Sequence, residues 1–206
     1  ITCQAGVSQY PSQWVIDKNP SPEELTKILE TYVTEVIAHG KTLGLNTYVL
    51  LTEPYFAAGD HVYRPDYFYE ILGDKYYEIV FSTARKVDPD AYLVLNDTDN
   101  HYALRSLGYP QIDTTNPWYV SYHIAEELIN IKVDDRPILD AIGFEMHNVD
   151  MEWYPEGTPA REEIFETMQY FKQLGLDLVI TEFDYNMSKF EGTEEEKLER
   201  QAQLFY

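Results

Sequence analysis

The sequence predicts an α/β protein in which a parallel sheet is covered by amphipathic helices. Short, entirely apolar runs recur along the chain, as is typical of strands that are buried on both faces. Amphipathic segments with helical spacing alternate with these runs, and capping or turn residues separate the two kinds of segment. The predicted strands are 3–7, 47–51, 92–95, 139–144 and 178–180.

The helices between these strands have recognisable starts and stops. Ser21, Pro22 and Glu24 form the pattern of a capping box with proline in the first turn, and Gly40 is expected to end that helix. A long irregular or helical insertion is expected between the strands 92–95 and 139–144. The other predicted helices begin at Asp74, Thr158-Pro159 and Thr193, and the first two of these end before Asp88-Pro89 and at Gly175.

Polar side chains follow every predicted strand, which favours a barrel. In a (β/α)8 barrel the carboxyl ends of the strands form the rim where active sites are built. An open doubly wound sheet also binds ligands at strand ends, but no Gly-rich phosphate loop follows any of these strands. We therefore expect one barrel-type domain over residues 1–206. The strand-end residues are Ser8 and Gln9, Glu53, Asp97, His147 and Glu182.

The composition excludes several classes of function. There are 15 Lys plus Arg against 36 Asp plus Glu, a formal net charge of −21, which would repel a nucleic-acid backbone. No apolar run approaches the roughly 20 residues that cross a bilayer, so no membrane partner is expected. The single cysteine, Cys3, allows no internal disulfide and no cysteine-based metal site. Aromatic residues make up 15%, which suits either a core or surfaces that stack on sugars.

Two carboxylates, Glu53 and Glu182, are the strongest candidates for chemistry. Each follows a threonine at the end of an apolar strand, where strand packing gives no reason for a charged residue. Glycoside cleavage requires two carboxyl groups, one that protonates the leaving group and one that attacks or stabilises the sugar. The alternative, that either residue is simply an exposed glutamate at a strand end, stays open.

Several segments, in order along nearly the whole chain, resemble glycoside hydrolase family 10, the endo-β-1,4-xylanase family of retaining (β/α)8 enzymes. The resemblance implies an incomplete barrel that covers about strands three to seven. Residues 180–184, Ile-Thr-Glu-Phe-Asp, resemble the family's nucleophile strand, and residues 50–54, Leu-Leu-Thr-Glu-Pro, resemble its acid/base strand. The other matching segments are Ser-Gln-Tyr-Pro at 8–11, the helix 72–89, Leu-Asn-Asp at 95–97 and the strand 139–147.

The resemblance also implies a function and a set of roles. Internal β-1,4 bonds of xylan would be hydrolysed with retention, Glu182 being the nucleophile, Glu53 the general acid and base, and His147 a hydrogen-bonding partner of the nucleophile. It implies no cofactor and no metal, a polysaccharide or oligosaccharide as the substrate, and an extracellular location, because polymers do not enter cells. The further substrate-binding or supporting candidates are Gln9, Thr52, Asp97 and Glu145; for Asp97 a turn or capping role is an equal alternative.

Three departures from the family pattern keep other functions open. Gly6-Val7 replaces Trp-His, Thr52 replaces the asparagine before the acid/base, and Glu145 replaces a glutamine. A non-catalytic carbohydrate-binding or structural barrel, or a retaining β-glycosidase with another sugar preference, would also fit. We expect Glu145, His147 and Glu182 to form one polar cluster. Glu53 should lie opposite, its carboxyl about 5–5.5 Å from that of Glu182 if the enzyme retains configuration.

Overall fold

The computed structural model describes residues 2–4, 11–54, 66–98, 100–101, 117–147 and 159–204. Seven strands lie in these ranges. They are β1 (Thr2–Gln4), β2 (Thr47–Thr52), β3 (Tyr92–Thr98), β4 (Lys132–Val133), β5 (Arg136–Pro137), β6 (Ala141–His147) and β7 (Asp177–Asp184).

Seven α-helices and a short 3₁₀ helix (Met187–Lys189) accompany the strands in the same ranges. None of these helices is both long and apolar enough to cross a bilayer. The α-helices are α1 (Gln13–Lys18), α2 (Pro22–Thr42), α3 (Tyr67–Leu72), α4 (Lys75–Val87), α5 (Pro117–Ile129), α6 (Pro159–Gln173) and α7 (Glu194–Leu204).

Five strands form one parallel sheet in the order β1-β2-β3-β6-β7. The order follows the chain without the reversal that creates the crevice of a doubly wound sheet. Consecutive strands of a barrel have this order, so the predicted parallel sheet and its barrel-like arrangement are confirmed. The small antiparallel β4–β5 hairpin and helix α3 were not predicted from the sequence.

The predicted capping box of α2 is confirmed, but the predicted stop at Gly40 is wrong. Ser21 Oγ accepts from the backbone N of Glu24, whose side chain accepts from the backbone N of Ser21. The helix continues to Thr42, and Gly40 instead permits close packing. A Cβ at Gly40 would lie 2.7 Å from the Tyr48 hydroxyl oxygen, so only glycine lets α2 approach β2 this closely.

The core lies between the sheet and its covering helices. One apolar face of α2 packs against β2 and α4, which accounts for the helical spacing of its buried residues. Ile180 in β7 departs from the expectation of a fully buried strand, because 56% of it is exposed. Among the described strands β7 pairs with β6 alone, so β7 is an edge strand of the described sheet. The buried residues of the α2 face are Leu25, Leu29, Val33 and Ile37.

An ion pair between buried Arg85 and partly exposed Asp140 lies at the amino ends of β3 and β6. Arg85 of α4 is 1% exposed and donates from Nη2 to Asp140 Oδ2 at 2.6 Å. Its remaining guanidinium nitrogens donate to three backbone carbonyl oxygens, including those of Ala91 (2.5 Å) and Pro137 (3.0 Å). Asp140 Oδ2 also accepts from the backbone N of Leu93. We call Arg85 and Asp140 the amino-end pair; it joins α4 to the starts of two strands.

Candidate active site

The site is assembled where β6 and β7 end side by side. Glu145 and His147 are two residues apart on β6, so their side chains project from the same face. The pairing register shifts between Phe144 and Glu145, so that Glu145 lies opposite Glu182 and His147 opposite Asp184. This irregularity places four polar side chains on one face at the carboxyl ends of two neighbouring strands.

His147 is the centre of this group. Its Nε2 lies 3.4 Å from Glu182 Oε2 and 3.5 Å from Glu145 Oε2, and its Nδ1 lies 2.6 Å from Asp184 Oδ2. Glu145, His147, Glu182 and Asp184 are referred to below as the carboxylate–histidine cluster. The expectation that Glu145, His147 and Glu182 come together is therefore confirmed, and Asp184 adds a contact that fixes the imidazole ring.

A buried amide holds Glu145 in place. Asn96 of β3 is fully buried, and its Nδ2 donates to Glu145 Oε1 at 2.6 Å. The hydroxyl of Thr181 donates to Asn96 Oδ1, which leaves the amide nitrogen facing Glu145. Gly143 leaves space for this contact, since a Cβ there would lie 2.6 Å from Thr181 Cγ2. Sequence reasoning did not select Asn96 or Thr181 as site residues, although Asn96 ends a predicted strand beside Asp97.

The surroundings of Glu145 raise the pKa of its carboxyl group. Its pKa is raised to about 7, first by burial and then by the nearby charges of Glu182 and Glu53, against the opposing effects of Asn96 and His147. The side chain is 2% exposed. Close like charges resist joint ionisation, so Glu145 retains its proton towards neutral pH.

The pKa values of two histidines, His147 in the cluster and His101 near it, are shifted in opposite directions. Burial opposes protonation of His147, but the hydrogen bond and charge of Asp184, with the charges of Glu145 and Glu182, outweigh it and raise its pKa. His101 is 1% exposed, and burial, assisted by the charge of His147, lowers its pKa to about 4. Sequence reasoning missed His101, which no strand-end or motif signal marks.

Glu53 follows β2 in an unusual backbone conformation. Its φ is +53°, in the left-handed region that favours glycine, at a typical cost of about 1–2 kcal/mol for other residues. Its backbone N donates to the carbonyl oxygen of Asn96 at 3.0 Å, which holds the residue at the end of β3. Because its charge contributes to the raised pKa of Glu145, Glu53 lies near the cluster. Backbone strain of this kind is concentrated at functional sites.

The remaining candidates fall in different places. Thr52 is the last residue of β2 and pairs with Asn96, next to Glu53. Asp97 is buried and accepts from Ser121 Oγ at 2.5 Å and from the backbone N of Thr98 at 2.9 Å, so it ties α5 to β3. Gln9, with Gly6 to Ser8, lies outside the described residues.

A cavity of about 460 Å³ lies elsewhere, between α1, α2 and α3. Trp14, Tyr32 and Phe68 are among its lining residues, and none of the residues of the carboxylate–histidine cluster is. Glu145, His147 and Glu182 are also the residues that could hold a metal ion, since their donor atoms all lie within 4.8 Å of one another.

Comparison with known proteins adds independent information. A family model described as "Glycosyl hydrolase family 10" matches residues 7–206. Endo-1,4-beta-xylanase A of Humicola insolens is 28% identical over 190 residues, 92% of this chain and 44% of that protein. Native xylanase 10B of Thermotoga maritima has a similar structure, with a TM-score of 0.73 at 25% identity over 98% of this chain and 55% of that one. Xylanase 10B of Thermotoga petrophila RKU-1, solved with xylobiose, gives a TM-score of 0.68 at 26% identity over 93% of this chain and 51% of that one. The chain spans about half the length of these relatives.

Proposed function

The chain belongs to glycosyl hydrolase family 10, and on that basis we propose that its strand-end carboxylates hydrolyse internal β-1,4-glycosidic bonds of xylan with retention of configuration. The fold is part of a (β/α)8 barrel. One observation carries the proposal: Glu182, near the carboxyl end of β7, lies beside His147, whose ring is held by Asp184.

The proposed reaction uses two carboxyl groups in two steps. Glu182 attacks the anomeric carbon while Glu53 donates its proton to the departing glycosidic oxygen, which leaves a covalent glycosyl ester on Glu182. Glu53, now ionised, removes a proton from water, which attacks the same carbon and releases the sugar with its original configuration. The reaction needs no metal, since acid, base and nucleophile are all supplied by side chains.

The other residues support these two in the proposal. His147 lies 3.4 Å from Glu182 Oε2 and orients it, and Asp184 fixes the imidazole. Thr52 precedes Glu53 and would present its hydroxyl to a sugar hydroxyl; Gln9 remains a candidate for substrate binding or support, with no sugar contact assigned to it. We further propose that residues 1–206 act as one partial catalytic domain and that the protein acts outside the cell, where polymeric xylan is found.

A carbohydrate-binding barrel without turnover is the second candidate. The observation that favours it is Glu145, whose buried carboxyl stands beside Glu182 where the family pattern has a neutral amide. When Glu145 is ionised, its negative charge lies beside the carboxyl group proposed as the nucleophile, a charge that the amide of the family pattern does not carry. The two candidates differ in whether a covalent bond forms on Glu182.

The test is covalent trapping on the whole chain. A 2-deoxy-2-fluoro-β-xylobioside with a dinitrophenyl leaving group should add one glycosyl unit, and peptide mass spectrometry should locate it on Glu182. Turnover of the dinitrophenyl β-xylobioside is followed in parallel. Glu182→Gln should abolish labelling, and Glu195→Gln, which removes an exposed carboxylate from α7, is the matched control.

The outcomes separate the candidates. Labelling of Glu182, with release of dinitrophenol, supports the proposed retaining hydrolysis. Labelling of another residue overturns the assignment of the nucleophile. Binding of xylo-oligosaccharides by calorimetry without label or turnover overturns the enzyme in favour of the binding barrel. Dinitrophenyl β-cellobioside is assayed beside the xylobioside. If it is turned over faster, the choice of xylan is overturned in favour of another sugar preference.

A further inference from the structure

We propose that Glu145, His147 and Glu182 bind a transition-metal ion such as Zn²⁺, and that the bound ion reversibly blocks the site. The metal-binding part stands on the geometry alone, and the blocking part rests on the proposed function. The sequence led to the opposite expectation, that the site holds no metal. The difference arises because three donor atoms from two strands converge only once the strands are paired.

The two distances from the histidine nitrogen to the carboxylate oxygens fit a tetrahedral ion. His147 Nε2 lies 3.4 Å from Glu182 Oε2 and 3.5 Å from Glu145 Oε2. A tetrahedral zinc site with bonds of about 2.0–2.2 Å separates its ligand atoms by about 3.3–3.6 Å, whereas right-angled octahedral ligands at that bond length would lie about 3 Å apart. All three donors lie within 4.8 Å of one another, and a water molecule can supply a fourth ligand.

The histidine is already arranged as a metal ligand. Asp184 Oδ2 lies 2.6 Å from Nδ1, so the proton on that nitrogen is held by a carboxylate. In metalloproteins this contact fixes the ring and directs the lone pair of the other nitrogen to the metal. Here the other nitrogen, Nε2, faces Glu145 Oε2 and Glu182 Oε2, so a metal ion can take the place of a proton between these three atoms.

The carboxylate of Glu145 gives a second, independent indication. The side chain is 2% exposed, and its Oε1 is held by Asn96 Nδ2 at 2.6 Å. Its Oε2 points into the cluster, where the nearest ion-pairing nitrogen is His147 Nε2 at 3.5 Å. In the described part of the chain His147 is the residue that forms an ion pair with Glu145, so Oε2 has no lysine or arginine to compete with a metal ion that replaces its proton.

The donor set selects the kind of ion. An imidazole nitrogen with two carboxylates suits Zn²⁺ and similar transition metals, whereas Mg²⁺ and Ca²⁺ prefer oxygen ligands alone. An ion at this point coordinates Glu182 Oε2, so this oxygen is no longer available to attack a sugar. Zinc would therefore compete with the reaction, and removing zinc would restore it.

The experiment is titration of the chelator-stripped full chain with ZnCl₂ by calorimetry, with CoCl₂ as a spectroscopic probe. We expect one site, a visible Co²⁺ band of tetrahedral character, and little heat with MgCl₂. Glu145→Gln removes one ligand while keeping the size of the side chain, and should weaken zinc binding by at least about 10-fold; Asp184→Asn should weaken it by about 10-fold. Circular dichroism checks that both variants are folded.

The matched control is His123→Gln. His123 Nε2 lies 3.4 Å from Glu127 Oε1 on the surface of α5. Among the described residues this pair is not part of a group of three possible metal ligands. If His123→Gln removes the zinc heat and Glu145→Gln does not, the proposal is overturned. It is also overturned if Glu145→Gln binds zinc as tightly as the parent. If zinc binds at the cluster but leaves labelling of Glu182 unchanged, only the blocking part fails, and the proposed hydrolysis stands.

Discussion

Two polar groups lie at opposite ends of β6 and differ in how their charges are paired. At the amino ends, Arg85 and Asp140 form one ion pair, and backbone carbonyls accept the other guanidinium protons. At the carboxyl ends, the carboxylate–histidine cluster places three carboxyl groups around His147. The first group pairs one positive with one negative side chain, whereas the second has three carboxyl groups for one histidine.

The amino-end pair contributes to stability, whereas the carboxylate–histidine cluster provides reactivity. An ion pair in which the buried guanidinium is hydrogen-bonded by a carboxylate and by backbone carbonyls holds neighbouring elements in one arrangement. An excess of carboxylates displaces pKa values and leaves oxygen atoms directed at a common point, which is what a catalytic or ligand-binding site requires. We therefore expect changes at the amino end to alter unfolding, and changes at the carboxyl end to alter chemistry.

The largest expected effect is at the carboxyl end. Glu182→Gln removes the proposed nucleophile and should lower kcat/KM on an aryl β-xylobioside by on the order of 10⁴-fold. The midpoint of thermal unfolding should not fall, because the change removes a negative charge from a crowded acidic site. A loss of activity that tracks a loss of folded protein would contradict this separation.

The next largest effect is at the amino end. Arg85→Met leaves Asp140 without its partner and should lower the free energy of unfolding in urea by about 3–5 kcal/mol. Arg136→Met is the matched control, since the Arg136–Asp90 pair is largely exposed. The control should change stability by no more than about 0.5 kcal/mol. Equal effects of the two substitutions would show that burial of Arg85 is not what matters.

A third effect, the contribution of Glu145 to the free energy of unfolding, depends on pH and amounts to about 3 kcal/mol at most. The pKa of Glu145 is about 7 in the folded chain against a model value of 4.5. An unfolded chain loses this proton near 4.5 and the folded chain retains it to about 7, so the contribution to stability is lost as pH rises through that window. A glutamine side chain cannot ionise, so Glu145→Gln should stabilise the protein increasingly, relative to the parent, as pH rises through the same window.

This third prediction is measured by urea unfolding in EDTA, which keeps metal ions out of the comparison. The difference between parent and variant should be small at the lower pKa of 4.5 and reach a plateau above the higher pKa of about 7. A difference that is constant across the window would mean that Glu145 ionises as it does in the unfolded chain. Under the proposed function, the same substitution should also raise activity at neutral pH, because it restores the family's neutral residue.

The smallest expected effect lies outside both groups and measures what one exposed capping contact contributes to the free energy of unfolding. Ser21→Ala removes the side-chain acceptor of the α2 capping box and should cost about 1 kcal/mol of unfolding free energy. Thermal unfolding followed by circular dichroism measures it. Activity per folded molecule should not change, and a loss comparable to that of Arg85→Met would contradict the ranking.

Much of the fold follows from local patterns in the sequence. The apolar runs at 47–51 and 92–95 predict strands because burial on both faces requires apolar residues throughout. The capping box at Ser21 predicts the start of α2 because its hydrogen bonds are satisfied within four residues. The same local reasoning missed the function of Gly40, since its packing partner, Tyr48, lies on another element.

The candidate site divides in the same way. Strand periodicity is enough to predict that Glu145 and His147 share a face, because the side chains of a strand alternate with a period of two. The position of Glu182 opposite Glu145 is visible only in the folded chain, because the register shift after Phe144 depends on how β6 pairs with β7. The orientation of Asn96 also depends on folding, since its partners come from two other strands. Contacts between strands depend on register and packing, which are properties of the folded chain and not of any local stretch of sequence.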